Sequence, residues 1–216
     1  MKIAVIGGGI GGLSAALGLL KAGFDVQVYE QAPLFGEIGA GIQISPNASR
    51  LLRRLGLGAA LEKYGVRPVA VDQKRWDDGR TLQRGTLGPE VEARFGAPYY
   101  HFHRGDLAAL LAAAMPRECT HAGHRLVGIE ERGERVVARF DNGASAEADL
   151  LIGADGIHSK VRALTFGPEK PRFTGCVAWR ASFPPNVSPI STSRSLRTTG
   201  WDRARIACTT GSRRSG

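Results

Sequence analysis

The residues of this 216-residue chain best suited to chemistry are small rather than reactive: the run Gly7-Gly8-Gly9-Ile10-Gly11-Gly12, and further on the carboxylate of Glu30. In a G-x-G-x-x-G spacing, Gly7 permits a tight turn, Gly9 lets the backbone come close to a pyrophosphate, and Gly12 lets the following helix pack against a sheet. The first amides of that helix, those of Ile10 and Gly11 among them, offer free N–H groups and a partial positive charge to phosphates. Glu30 lies roughly twenty residues beyond the glycines, where a carboxylate accepts hydrogen bonds from ribose hydroxyls. The same carboxylate repels a 2′-phosphate, so the bound dinucleotide is expected to be FAD or NAD rather than NADP. The motif does not separate those two.

The elements that must hold these residues are legible around them. Lys2–Ile6 is a short apolar run, and Leu13–Ala22 repeats apolar residues at helical spacing until Gly23 stops it. Asp25–Tyr29 alternates like a strand and delivers Glu30. Further on, Gly39 and Gly41 precede Ser45-Pro46, a helix start with an N-cap and an early proline, and Gly56 is expected to close that helix. The two glycines either let backbone approach a flat ring or form a plain loop. Residues 69–76 and 80–84 flank Asp77-Asp78-Gly79 as a hairpin, which points to a second, antiparallel sheet; residues 85–98 show no regular pattern. Tyr99–His103 reads as a strand, with Asp106 expected to cap a helix over Leu107–Met115. His101 and His103 alternate with aromatics and read as strand histidines rather than metal ligands. Segments 125–131, 135–140 and 146–152 read as three strands with a turn at Asp141-Asn142-Gly143. The last runs into Gly153-Ala154-Asp155-Gly156, which places Asp155 at a strand's C-terminal end, where ligands bind in open α/β sheets.

Composition narrows the function classes. The net charge is +9, but the stretch from Asn186 carries six arginines and one acid, so the excess is concentrated in the tail and no nucleic-acid motif accompanies it. Cys119, Cys176 and Cys208 show no CxxC spacing, which indicates neither a metal site nor a disulfide framework. No apolar run reaches the roughly eighteen residues of a membrane span, and a cytoplasmic protein is expected. The sequence does not specify an oligomeric state.

Taken together, these residues resemble the class A flavoprotein aromatic hydroxylases, FAD-dependent monooxygenases of the salicylate hydroxylase type. The resemblance covers about Lys2 to Phe183. It rests on Gly7-x-Gly9-x-x-Gly12 with Glu30, on the arginine of His103-Arg104-Gly105-Asp106-Leu107, and on Gly153-Ala154-Asp155-Gly156 with Ser159 and Arg162. Gly39-Ala-Gly41-Ile-Gln43-Ile-Ser-Pro-Asn47 matches a stretch that lines the flavin and substrate region. The resemblance implies an α/β fold, a Rossmann-type FAD-binding domain with an inserted antiparallel β-sheet substrate domain, incomplete at the C-terminus. Residues 1–66 and 100–172 would form the FAD-binding portion, and 67–99 and 173–185 the substrate-domain portion. It places Glu30 on the ribose of FAD, Arg104 on the ribityl or phosphate region, and Asp155 and Gly156 at FAD and at the transient docking of the nicotinamide cofactor. The cycle it implies has NADH or NADPH reduce FAD, O2 add to the flavin as a C4a-hydroperoxide, and a hydroxybenzoate-like aromatic ring take one oxygen atom. It identifies no catalytic residue among these positions.

Two departures stand out. Members acting on hydroxynicotinate carry a histidine at the position of Gln43, and an amide cannot act as a base there. Gln43 and Arg180, the latter suited to a bidentate carboxylate pair or equally to a structural role, are the candidate substrate-binding residues. The second departure is the tail: Ser, Thr and Arg make up 17 of the 31 residues from Asn186 onward, and the Gly-Asp-Ala-x-His-Pro segment with which relatives close over the flavin is absent. Such a composition predicts a disordered or frame-shifted tail. Two other functions fit the sequence: a fragment that binds a dinucleotide without catalysis, and an NAD-dependent dehydrogenase, which would leave Arg104 and Asp155 without a role. Translating the encoding DNA in all three frames tests the tail: a frameshift requires Gly-Asp-Ala-x-His-Pro in another frame downstream, and its absence from every frame excludes one.

Overall fold

The computed structural model describes residues 1–35, 41–75, 77–175, 177–183 and 205–211. In chain order, β1 (Lys2–Ile6) passes through the glycine turn into α1 (Ile10–Lys21) and β2 (Asp25–Tyr29). After β3 (Gly41–Ile44) come α2 (Pro46–Leu52), a widened turn at Arg53–Leu57 and α3 (Gly58–Tyr64). The hairpin of β4 (Ala70–Lys74) and β5 (Thr81–Thr86) follows, then α4 (Pro89–Phe95) and β6 (Tyr100–His103). From α5 (Arg104–Ala114) the chain reaches β7 (Thr120–His121), β8 (Leu126–Arg132), β9 (Arg135–Phe140), β10 (Ser145–Ala148), β11 (Leu150–Gly153) and α6 (Lys160–Phe166). Last are β12 (Val177–Phe183) and β13 (Arg205–Gly211). These elements fall into two compact units, Met1–Glu37 with Gly105–Arg172 and Ile38–Arg104 with Phe173–Gly216.

The first unit is built on a parallel sheet of order β11-β1-β2-β7. Its central strands are β-branched and almost wholly buried, as a sheet covered on both faces requires. Because side chains alternate along a strand, Ala4 and Ile6 face one way. They pack there with Tyr29, Leu126, Ala138, Phe140 and Ala148, so the antiparallel meander β10-β9-β8 covers that face. Ile3 and Val5 face the other way, and α1 buries Leu13, Ala16 and Leu17. The segment expected as one strand over 146–152 is two strands in two sheets. At the break, Asp149 bonds β1 twice: its N–H donates to the Lys2 carbonyl at 2.9 Å and its carboxylate accepts from the Lys2 N–H at 2.7 Å.

In the second unit, β3 and β6 pair antiparallel with Gly41 opposite His103 and Gln43 opposite His101. Ile44, Tyr100 and Phe102 are buried along with Leu52, Leu57 and Leu61. Ser49, fully buried, donates its hydroxyl to the Pro98 carbonyl at 2.6 Å. Arg53, Arg67 and the Tyr100 hydroxyl all converge on the Glu62 carboxylate at 2.6–2.7 Å. Strand β12 pairs antiparallel with β13.

Four expectations are corrected. Gly56 does not end its helix, because its φ of 97° lets the chain kink and continue into α3. Residues 85–98 contain α4, with Pro89 at its start, Glu90 and Glu92 in its first turn and Gly96 left-handed after it. None of its residues is buried, so apolar periodicity carried no signal. Asp106 does not stand before its helix; α5 begins at Arg104, and Asp106 sits inside the first turn, where a carboxylate suits the helix dipole. The tail from Asn186, expected to lack structure, contains β13, whose Arg-Ile-Ala-Cys-Thr-Thr-Gly run includes the β-branched residues a strand favours; residues 186–204 and 212–216 lie outside the described residues.

Two measurements follow from this packing. Ser49→Ala strands the buried Pro98 carbonyl and is expected to cost about 1–3 kcal/mol in urea unfolding; an unchanged midpoint would show the bond to be dispensable. Burial holds the imidazoles of His101 and His121 below their usual 6.5, with His124 and Lys2 adding to the effect at His121. The unfolded chain therefore binds more protons as the pH falls through 6.5. The stability these residues contribute is present above that pH and is lost on acidification, so His121→Gln should flatten the acid side of the stability curve.

Candidate functional site

The glycine turn is shaped by what surrounds it. Gly7 has φ 113°, and a side chain there would strike the Ala154 carbonyl and the Asp155 N–H. A Cβ on Gly12 would fall on the Gly7 carbonyl, and one on Gly8 would strike the Phe35 ring and sit 2.9 Å from the Glu30 Cβ. The turn is therefore a bare backbone surface, packed from behind at Gly7, Gly8 and Gly12. Hydrogen bonds fix its flanks, from the Gly7 N–H to the Tyr29 carbonyl at 2.8 Å and from the Ala154 N–H to the Ile6 carbonyl at 2.7 Å. Gly9 is the N-cap of α1, and the first intrahelical bond is donated by Leu13 to its carbonyl at 2.9 Å. The amides of Ile10, Gly11 and Gly12 precede that bond and have no acceptor within the helix. Gly11 is exposed, and a Cβ there would meet open space.

Glu30 stands at the end of β2 with both carboxylate oxygens in use. Oε2 accepts from the Gly8 N–H at 2.6 Å and Oε1 from the Ala32 N–H at 2.8 Å. Each oxygen keeps a second lone pair, so the group can still take hydroxyl donors from a ligand. Its backbone is clamped by the loop after β7: the Glu30 N–H donates to His121, the His124 N–H to Glu30, and the Gly123 N–H to Ala32, all at 2.8–2.9 Å. The Tyr29 ring stacks between His121 and Phe140, each at 4.8 Å between centroids.

Asp155 follows β11, and its carboxylate caps α6, accepting from the Ser159 hydroxyl and from the Lys160 and Val161 N–H groups at 2.6 and 3.0 Å. The Ser159 hydroxyl in turn accepts from the Arg162 N–H at 3.0 Å, and the Arg162 guanidinium donates to the Ile157 carbonyl at 3.1 Å. Gly156, at φ 79°, makes the turn that brings Asp155 back over this helix. The first unit thus gathers Gly7, Gly9, Ile10, Gly11, Gly12, Glu30, Asp155 and Gly156 beyond the C-terminal ends of β1, β2 and β11.

The second unit holds the others. Gly41 and Gln43 lie on β3, with Gln43 exposed, and Arg104 directly follows His103, the residue opposite Gly41. Arg180 stands on β12 opposite Cys208, and its side chain is outside the described part, as is Gly39. Among the described residues no cluster of three or more His, Cys, Asp or Glu can hold a metal ion, and no helix is long and apolar enough to cross a membrane. Sequence reasoning passed over Gly8, whose place in an unbroken glycine triplet was the available signal. It also passed over the clamp at His121–His124, for which the positive φ of Gly123 (68°) is the only local sign.

A bare glycine cradle, unpaired helix amides and a carboxylate at the end of β2 fit the pyrophosphate and ribose of a dinucleotide, and the comparisons with known proteins agree. A family model described as an FAD binding domain matches residues 1–179. A 6-hydroxynicotinate 3-monooxygenase of Pseudomonas fluorescens is 44% identical over 183 residues, which is 85% of this chain and 48% of that protein. A 3-amino-4-hydroxybenzoate 2-monooxygenase of Streptomyces platensis is 47% identical over 174 residues, 81% of this chain and 44% of its own length. Among solved structures, Klebsiella pneumoniae HpxO complexed with FAD and uric acid superposes with a TM-score of 0.75 at 34% identity, over 84% of this chain and 46% of that one. The chain spans about half the length of the curated relatives it matches. With a family model matched across residues 1–179, the chain belongs to the FAD binding domain family.

Proposed function

We propose that this chain is the FAD-holding part of a monooxygenase that hydroxylates a small aromatic substrate, of the hydroxybenzoate kind, with NADH or NADPH and O2. The observation that carries this reading is the turn at Gly7–Gly12, where the protein's own atoms behind Gly7, Gly8 and Gly12 leave no room for side chains and the backbone stays bare ahead of α1. The amides of Gly9, Ile10, Gly11 and Gly12 hold the pyrophosphate, and the positive end of α1 favours its charge. Glu30, locked by the Gly8 and Ala32 amides, receives the ribose hydroxyls. Arg104 offers a cation to the ribityl or phosphate region. Asp155 and Gly156 border the cofactor from the β11 side, and Gly41 leaves room for the flat ring. Gln43 and Arg180 orient the substrate, Gln43 by its amide and Arg180 by pairing with a carboxylate. FAD, reduced by the nicotinamide cofactor, supplies the oxygen-activating chemistry. A cytoplasmic setting, where NADH and NADPH are available, belongs to this reading.

The absorption spectrum of the purified chain after incubation with FAD and desalting tests the reading. Retained flavin bands are expected, with Gly12→Ala colourless and Glu30→Ala weakened roughly tenfold in FAD affinity. A colourless parent chain would overturn FAD binding by these residues. Flavin retained without any NADH oxidation stimulated by a hydroxybenzoate would favour a binding fragment over an enzyme.

A further inference from the structure

Beside Glu30 stands a cluster of side chains to which dinucleotide binding assigns no role. The rings of His121 and His124 flank Tyr29, at 4.8 and 5.6 Å between centroids, and lie 5.8 Å from one another. Phe140 closes the group, 5.1 Å from His124. Each imidazole gives its one N–H to a neutral oxygen: His121 Nε2 donates to Gln27 Oε1 and His124 Nδ1 to the Ala122 carbonyl, both at 2.7 Å. The other nitrogen of each ring keeps a lone pair, so a further proton brings charge to a half-buried ring. The segment from His121 to His124 also holds Glu30. Besides its two backbone bonds to Glu30, its Gly123 N–H donates to the Ala32 carbonyl, and the Ala32 N–H donates in turn to Glu30 Oε1. A displacement of this loop therefore reaches the carboxylate through a single residue.

The charges around the pair oppose a second proton. Burial first, then His124 and Lys2 of β1, hold the His121 imidazole below its usual 6.5. Asp25 of β2 is engaged by the Gln27 amide at 3.4 Å, and Arg125, next to His124, is opposed by Asp141 at 3.7 Å. One imidazolium can rest against the electron-rich face of Tyr29. Two on the same short loop repel each other. We propose that His121 and His124 are positioning residues for the dinucleotide: they fix Glu30 toward the ribose while the pair carries at most one proton, and doubly charged they push the loop, and Glu30 with it, off the ligand. Glu30's contact with the ribose rests on the proposed function; the coupling of the histidine pair to the Glu30 carboxylate stands without it. By linkage, FAD binding expels a proton from the pair in acid, and affinity declines as the pH falls through the imidazole range.

FAD titrations of the 216-residue chain at about pH 8 and about pH 5.5, followed by quenching of flavin fluorescence, test this, with circular dichroism showing that the chain is folded at both. The dissociation constant of the parent is expected to rise roughly fivefold or more on acidification. In His121→Gln and in His124→Gln, which keep an amide donor but cannot take the second charge, it should stay nearly constant and match the parent's value at the higher pH. An acid loss as large in both variants as in the parent would overturn the inference. So would an affinity lowered equally at both pH values, the mark of a purely structural role. A second readout needs no flavin: in NMR, the Gly8 and Ala32 amide signals, which report the Glu30 carboxylate, should move with the imidazole titration in the parent and stand still through it in both variants. Amides indifferent to the imidazoles would sink the coupling. A parent chain that shows coupled amides yet binds no FAD at the higher pH would overturn the proposed function alone.

Discussion

The contact on which the first unit depends is the close approach of two backbones, Gly7 against Ala154 and Asp155. No side chain fits between them, and the Ala154 N–H bonds the Ile6 carbonyl on the way past. From that approach follow the positive φ of Gly7, the aim of α1 and the placement of Asp155 beside the glycine turn. Gly12 then has to be bare because the Gly7 carbonyl occupies the space a side chain would need. Gly7, Gly8 and Gly12 are fixed by sterics before any ligand is considered, and the ligand surface is the bare backbone that remains in front of them.

Charge is arranged on the same plan. Glu30 is an anion beside an array of amides, and two of those amides belong to its own surroundings, Gly8 and Ala32. The carboxylate therefore shapes the turn as well as facing the ligand. Asp155 repeats the arrangement at α6, where its oxygens take a hydroxyl and two amides. In both places a carboxylate holds a helix start or a loop rigid while keeping lone pairs for a guest. The stack of His121, Tyr29 and Phe140 braces the strand end that carries Glu30.

Much of this was legible because it is local. The glycine spacing, the strand before it and the acid after β2 are contiguous, and their physical roles do not depend on distant chain. What sequence reading missed was set by partners far away or by exposure. The segment 146–152 splits because Asp149 bonds Lys2, a residue at the other end of the unit. α4 buries nothing, so its caps announced it and its periodicity did not. Gly56 has the residue type of a helix stop, yet its left-handed geometry served a kink instead. The clamp at His121–His124 has no motif, since its work is done by backbone groups that any residue carries.

The register of β1 carries one more consequence, for how the protein is made. Ile3 pairs with Leu150 and Ile6 with Gly153, so the strand completing the cradle is synthesised long after the one it joins. A nascent chain on the ribosome can form β1, α1 and β2 early, but it must hold an unpaired edge of β1 until residues beyond 150 emerge. Such long-range parallel pairing is slow to form and open to mispairing meanwhile. The dinucleotide pocket is thus a late product of synthesis, assembled only when the two ends of the first unit meet.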